Sequence, residues 1–143
     1  MVDTVKSLLT YIYSLLTADA TLITAMGGTV RLYATWAVTD ATFPYIVHRF
    51  SFRQNVLYPE RVGTYYIDLW SDSTNAEEVL TIRKRVVELL DQLNFNTAEV
   101  KNVRLNLDTD GFVPENDPEI WHYAMQFDID IWRQSELVSI INR

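Results

Sequence analysis

The sequence predicts an α+β domain with one antiparallel or mixed five-stranded sheet and two main helices packed on one of its faces. Three observations predict it. Apolar residues recur at three- and four-residue spacing in two segments, one near the N-terminus and one after residue 75. Strict alternation marks residues 62–70, 103–107 and 120–132 as strands. The resulting order, helix, short helix, three strands, long helix, two strands, lets one sheet bury every apolar stripe beneath the helices.

The first helix follows from Val5, Leu8, Leu9, Ile12, Leu15 and Leu16, with Asp3 placed to cap its N-terminus. Asp19 restarts a short helix carrying Leu22, Ile23 and Met26, and Gly27 and Gly28 supply the positive φ angles that end it. A strand is expected at 29–35. Pro44 then opens a second strand at 45–53, where Tyr45 and Val47 compete with Ile46, Phe50 and Phe52 for the inward face and a bulge is one way to reconcile them. Residues 54–61 are too polar and too long for a tight hairpin. In the third strand Tyr65, Ile67 and Leu69 share one side.

The main helix is announced by residues 71–75, with Thr74 and Glu77 at capping-box spacing, and continues through Val79, Leu80, Arg83, Val86, Val87, Leu90 and Leu93. Val103, Leu105 and Leu107 define a fourth strand that Gly111 and Pro114 terminate. The fifth places Trp121, Tyr123, Met125, Phe127, Ile129 and Ile131 on one side and His122, Ala124, Gln126, Asp128 and Asp130 on the other. Residues 1–133 form the domain. Residues 134–143 read as a C-terminal extension, a short helix or a mobile arm with Leu137, Val138, Ile140 and Ile141 as its apolar content.

Composition narrows the function. A chain of 143 residues suits one domain, since at this size about two thirds of the unfolded surface is buried around a single core. With no cysteine, thiolate catalysis and cysteine-ligated zinc are excluded. A formal charge of -7 opposes adhesion to phosphate backbones. There is no basic leader and no apolar run near the roughly 18 residues a membrane span requires, so a cytoplasm-like compartment and no membrane are expected. Neither a Gly-rich phosphate loop nor a nucleophile-elbow motif occurs, so no enzyme activity and no cofactor is expected.

One chemical alternative remains. His122, Asp128 and Asp130 alternate along the last strand, and Asp68 joins them if the third strand lies beside it; such oxygen ligands suit a hard metal or a carboxylate pair, whereas charges on an outward strand face usually serve solvation. His48 reads as a partly buried histidine held by a hydrogen bond. The basic run Arg83, Lys84 and Arg85 reads either as a solvated helix face paired with Glu77, Glu78 or Glu88, or as a contact with an acidic neighbouring subunit. Tyr66 and Trp70, on the second face of their strand, pack under a loop or enter a subunit interface.

Several segments together carry a family resemblance: Leu-Thr-Ala-Asp-Ala at 16–20, Gly27-Gly28 leading to Val30-Arg31-Leu32-Tyr33, Phe43-Pro44-Tyr45-Ile46-Val47, Tyr66-Ile67-Asp68-Leu69-Trp70, the helix starting Asn75-Ala76-Glu77-Glu78, and Phe127-Asp128-Ile129-Asp130-Ile131-Trp132. Their order and spacing over residues 5–133 resemble the tail completion proteins, or tail terminators, of long-tailed bacteriophages. The resemblance implies a subunit of a homo-oligomeric ring, often a hexamer, that caps the tail tube at the head-proximal end of the virion, stops its elongation and offers a surface to the head connector. The partners implied are the chain itself, the tail tube protein and the connector, with DNA passing through unbound. A head-tail neck or minor structural component is the alternative, and a metal-dependent hydrolase a more distant one.

On that basis residues 54–61, with Arg53 beside them, form a loop that orders against a partner, Arg53, Tyr58, Glu60 and Arg61 making the contact with tube or connector. Tyr66, Trp70, Arg83 and Lys84 are assigned to the subunit interface. Asp68, Asp128 and Asp130 are assigned to the channel wall, because cationic walls would gain affinity for DNA by releasing counterions and carboxylates do the opposite.

Overall fold

The computed structural model describes residues 4–53, 60–98 and 100–133. Its elements are α1 (Thr4–Thr17), α2 (Ala20–Ala25), β1 (Leu32–Ala34), β2 (Tyr45–Phe52), β3 (Glu60–Ser71), α3 (Glu77–Leu90), β4 (Asn94–Phe95), β5 (Val100–Val113) and β6 (Trp121–Arg133). They build a single mixed sheet in the order β1-β2-β3-β6-β5-β4, with β1 parallel to β2 and every other pair antiparallel. The α+β class and the helix-covered face are as expected; the sheet has six strands, not five. The additional strand, β4, spans only two residues and pairs with Val103 and Arg104, too short to leave a periodic signal.

The helices cover one face. Leu8, Ile12 and Leu16 of α1, Leu22 of α2 and Val79, Ile82, Val86 and Leu90 of α3 pack into one buried cluster with Ile46, Tyr65, Ile67, Leu69, Met125, Phe127, Ile129 and Ile131 of the sheet. Alternation places the strand residues inward, and burying each large apolar side chain contributes about 1.5–3 kcal/mol. Tyr11 stacks on Phe95, with centroids 3.8 Å apart, and ties α1 to the β4 edge.

Local signals act largely as the residues predict. Asp19 caps α2 by accepting from Leu22 N–H at 2.9 Å, and the same carboxylate takes Arg85 of α3 in a two-pronged pair at 2.9 and 2.7 Å. That pairing with Arg85, and secondarily the Leu22 N–H, holds the Asp19 carboxyl below its ordinary pKa against the opposing effect of burial. Gly27 and Gly28 have φ of 83° and 116°, a region in which a side chain is strained. The proposed Asp3 cap lies outside the described residues.

Other expectations are corrected. β2 has no bulge: its eight residues pair without a break against β3, and Ile46, His48, Phe50 and Phe52 take the inward side while Tyr45, Val47 and Arg49 take the other. The irregularities fall instead in β5, between Lys101 and Arg104 and between Leu107 and Thr109. β5 also runs on through Gly111, which pairs with Ala124; the long ladder to β6 overrides the weak strand propensity of one glycine. The Thr74–Glu77 capping box does not form. Asn75 Oδ1 accepts from Glu77 N–H at 2.9 Å, and the helix starts without a side-chain cap at Ala76. Within α3 the inward position falls to Ile82, leaving Leu80 exposed and Arg83 turned toward β5.

Candidate functional site: the open face of the sheet

The face away from the helices carries, in successive rows across the strands, Tyr45–Trp70–His122, Val47–Asp68–Ala124, Arg49–Tyr66–Gln126 and Ser51–Thr64–Asp128. Among the described residues no helix or strand covers it. Its upper end is aromatic. Tyr45 stacks beside Trp70 with centroids 6.0 Å apart, and Trp70 lies flat on His122 at 3.8 Å with the planes 13° apart. Tyr33 of β1 and Phe43 extend this line at 6.1 and 5.1 Å from Tyr45. One row down the strands the guanidinium of Arg49 sits over the Tyr66 ring at 3.8 Å.

His122 is fixed from three sides. Its Nδ1 meets Glu115 Oε1 at 2.7 Å, its ring stacks on Trp70, and its Nε2 stands 3.5 Å from Asp68 Oδ1, an ion-pair approach without a formed hydrogen bond. Burial by itself would lower the imidazole pKa. The two carboxylates outweigh it and raise the pKa above its ordinary value. His48, on the covered face, is the opposite case: 2% exposed, bonded through Nδ1 to the Tyr65 hydroxyl at 2.7 Å, its pKa pushed by burial down to about 4. The expected hydrogen bond is present, and the side chain is fully rather than partly buried.

Asp68, Asp128 and Asp130 all lie on the open face, yet they do not converge. Asp68 pairs across the ladder with Ala124 and belongs to the His122 cluster, while Asp128 and Asp130 lie opposite Thr64 and Val62, and face Asn106 and Arg104 of β5. Among the described residues no group of three His, Cys, Asp or Glu side chains is placed to hold a metal. The charges at this lower end are mixed, since Arg104 stands opposite Asp130 and Arg53 shares a shallow polar depression with Asp128 and Asp130.

The remaining assigned residues separate. Arg53 is exposed at the end of β2, with its N–H bonded to Val62 O at 2.9 Å. Glu60 and Arg61 belong to β3, paired with Trp132 and Ile131, and Arg61 lies over the Phe52 ring at 4.6 Å, so the loop expected to reach residue 61 stops earlier. Tyr58 lies outside the described residues. Arg83 binds Asp110 of β5 at 2.8 Å, and Tyr123 donates to the same carboxylate; the Tyr123 bond first, and Arg83 after it, hold that carboxyl below its ordinary range although burial opposes this. Lys84 is exposed, and Arg85 binds Glu88 at 3.2 Å besides Asp19.

Two features escaped the sequence reading. Arg31 gathers backbone carbonyls from the loop before β2 and from the end of α2: Nε donates to Thr42 O and Pro44 O at 2.9 and 3.0 Å, and Nη2 to Phe43 O and Met26 O at 3.2 and 3.3 Å. Trp36, in the same loop, is 81% exposed. Arg31 and Phe43 are 12 positions apart, and a carbonyl cluster has no side-chain pattern to read.

The sheet thus has one face covered by its own helices and the other open, aromatic at one end and charged at the other. The chain belongs to the family described as tail completion protein gp17, whose pattern matches residues 10–132. It is a structural phage tail protein. Its fold is shared with a chain from the virion of a native gene transfer agent particle, at 14% identity and a TM-score of 0.72, covering 92% of this chain and 99% of that one. Among curated proteins none matches.

Proposed function

We propose that copies of this chain close into a ring that caps the head-proximal end of the tail tube, ends its elongation and joins it to the head connector. The reading is supported by one observation above all: in a tail completion protein, a full sheet face with stacked, half-buried aromatics is left bare by the chain's own helices. Large aromatics with limited conformational freedom are what protein interfaces use as anchors. No reaction is assigned to the chain.

Tyr66 and Trp70 lie on the same face as Asp68, Asp128 and Asp130, so one surface cannot be wholly buried between subunits and wholly open to a channel. The division follows height. The aromatic end around Trp70, with Asp68 drawn into it by His122, meets a neighbouring protein, and the end bearing Asp128 and Asp130 borders the passage. Arg53 and Arg61, with Tyr58 and Glu60, contact tube or connector, while exposed Lys84 extends the subunit contact and Arg83 supports it through Asp110. Particles made without this protein should carry overlong or headless tails in electron micrographs; tails of normal length joined to heads would overturn the assignment.

A further inference from the structure

Both ring nitrogens of His122 face carboxylates. Nδ1 stands 2.7 Å from Glu115 Oε1, and Nε2, enclosed and without a hydrogen-bond partner, stands 3.5 Å from Asp68 Oδ1. A carboxylate oxygen only accepts, so the short contact to Glu115 places a hydrogen on Nδ1. In the neutral ring Nε2 then turns a lone pair toward Asp68, acceptor against acceptor, on a side chain that is only 11% exposed. The other neutral tautomer moves the same conflict to Glu115. A second proton removes it, because the imidazolium has one N–H for each carboxylate.

No other cation is paired with these two acids among the described residues. β3 brings Asp68 and the Trp70 ring that stacks on the imidazole, and β2 brings Tyr45 beside Trp70, its phenol pKa pushed up by burial first and by the Glu115 charge second. β5 brings uncharged Val113, the ladder partner of His122. The loop after β5 adds Asp117 and Glu119, both acidic, and Arg49, two rows down the open face, is engaged over the Tyr66 ring.

That loop, residues 114–120, has few ties to the sheet. Glu119 N–H and Ile120 N–H bond back to Asp117 within it, and among the described residues the Glu115–His122 contact is the one side-chain hydrogen bond between the loop and a strand. Pro114, Pro118 and Ile120 of the loop line an apolar groove together with Phe112, Val113 and Trp121. One wall of the groove is thus fastened to the aromatic end of the open face through a single imidazole.

We propose that His122 is a proton-operated latch: the imidazolium holds the 114–120 loop to the open face, and its deprotonation loosens the loop and opens the adjoining groove. This goes beyond the ring reading and does not depend on it. Loss of the Nε2 proton turns the charge-assisted bond to Glu115 into an ordinary one, about half as strong, and sets a lone pair against Asp68, so the open fraction of the loop should rise about tenfold. Burial works to lower the His122 pKa, and Asp68 and Glu115 together raise it above the ordinary value. The loop is therefore held below about pH 6.5 and loosens as pH rises through the folded pKa.

The chain has no cysteine, so a nitroxide attached through Asn116→Cys in the whole chain reports on this loop alone. Its electron paramagnetic resonance spectrum should change from a held to a mobile label between about pH 5.5 and 9, with a midpoint at the His122 pKa read from the ring by NMR in the unlabelled protein. His48, with its pKa of about 4, does not titrate in that range. Asp68→Asn, which removes one facing charge, should lower the ring pKa and the label midpoint together by about one pH unit or more. Glu115→Ala should leave the label mobile at every pH while circular dichroism shows the fold retained. A label whose mobility stays constant while His122 titrates, or a midpoint that Asp68→Asn does not move, would overturn the latch. A wild-type His122 pKa at or below about 6.5 would overturn it as well, without recourse to any variant.

Discussion

Trp70 and His122 lie face to face, their ring centroids 3.8 Å apart, at neighbouring positions of β3 and β6. The stack joins the aromatic end of the open face to the loop after β5, because the imidazole it positions is also bound to Glu115 of that loop. Disturbing this one imidazole thus acts on the sheet surface and on that loop together.

The two histidines should give the protein a stability maximum near pH 6.5. For His48 the folded pKa, about 4, lies below the unfolded value, so its contribution is present above about pH 6.5 and lost as pH falls toward 4, a change on the order of 3 kcal/mol. For His122 the folded pKa is raised, so its contribution is present below about pH 6.5 and lost as pH rises through the folded value. Urea midpoints measured from pH 4 to 9 should fall on both sides. His122→Phe, which keeps the stack on Trp70, should flatten the alkaline limb alone; an unchanged alkaline limb would remove His122 from the linkage.

Arg31→Ala should release the loop after β1, because no other side chain replaces a planar cation shared by four carbonyls. A cost of about 1–3 kcal/mol is expected from unsatisfied carbonyls. Amide exchange at residues 35–44 should accelerate while the β3 and β6 amides keep their protection. Arg31→Lys should rescue little, since an ammonium lacks the fork geometry.

Gly63→Ala should destabilise the β2–β3 ladder. A Cβ there would stand 2.2 Å from Ser51 O and 2.9 Å from Phe52 Cα, both backbone atoms that move only with the strand. Overpacking of this kind costs about 1–3 kcal/mol, visible as a lowered melting temperature. Gly111→Ala is the comparison: nothing lies within 4 Å of its Cβ, and its effect should be small.

Replacing Asp128 and Asp130 by Lys should slow DNA ejection from assembled particles if these residues border the passage. Their action is short-ranged, over roughly 8 Å at physiological salt. Because Arg104 stands opposite Asp130, part of any stability loss comes from like charges, and the double Asn variant separates the two effects. Ejection at the wild-type rate by a folded double-lysine particle would remove both carboxylates from the wall.

The elements and their inward faces were legible in the sequence because periodicity is a local property. Tyr65, Ile67 and Leu69 in β3, and Tyr123 through Ile131 in β6, declare by alternation which side they bury, and no tertiary information was needed. Asp19 and Gly27-Gly28 punctuate α2 through bonds and angles within a few residues of themselves. Where two local signals conflicted, as between Tyr45 and Ile46 in β2, alternation alone left the inward face open; pairing with β3 and packing under the helices decided it.

Only the tertiary structure decided which distant residues meet. Arg85 reaches Asp19 across 66 positions, Arg83 reaches Asp110 across 27, and Ser7 bonds to Thr97 across 90, none of them foreshadowed by spacing. It separated Asp68 from Asp128 and Asp130 along the open face and carried β5 on past Gly111. The physical reason is register. A strand's own residues determine which side faces the core, but the neighbour opposite each residue depends on how all strands slide together to fill that core.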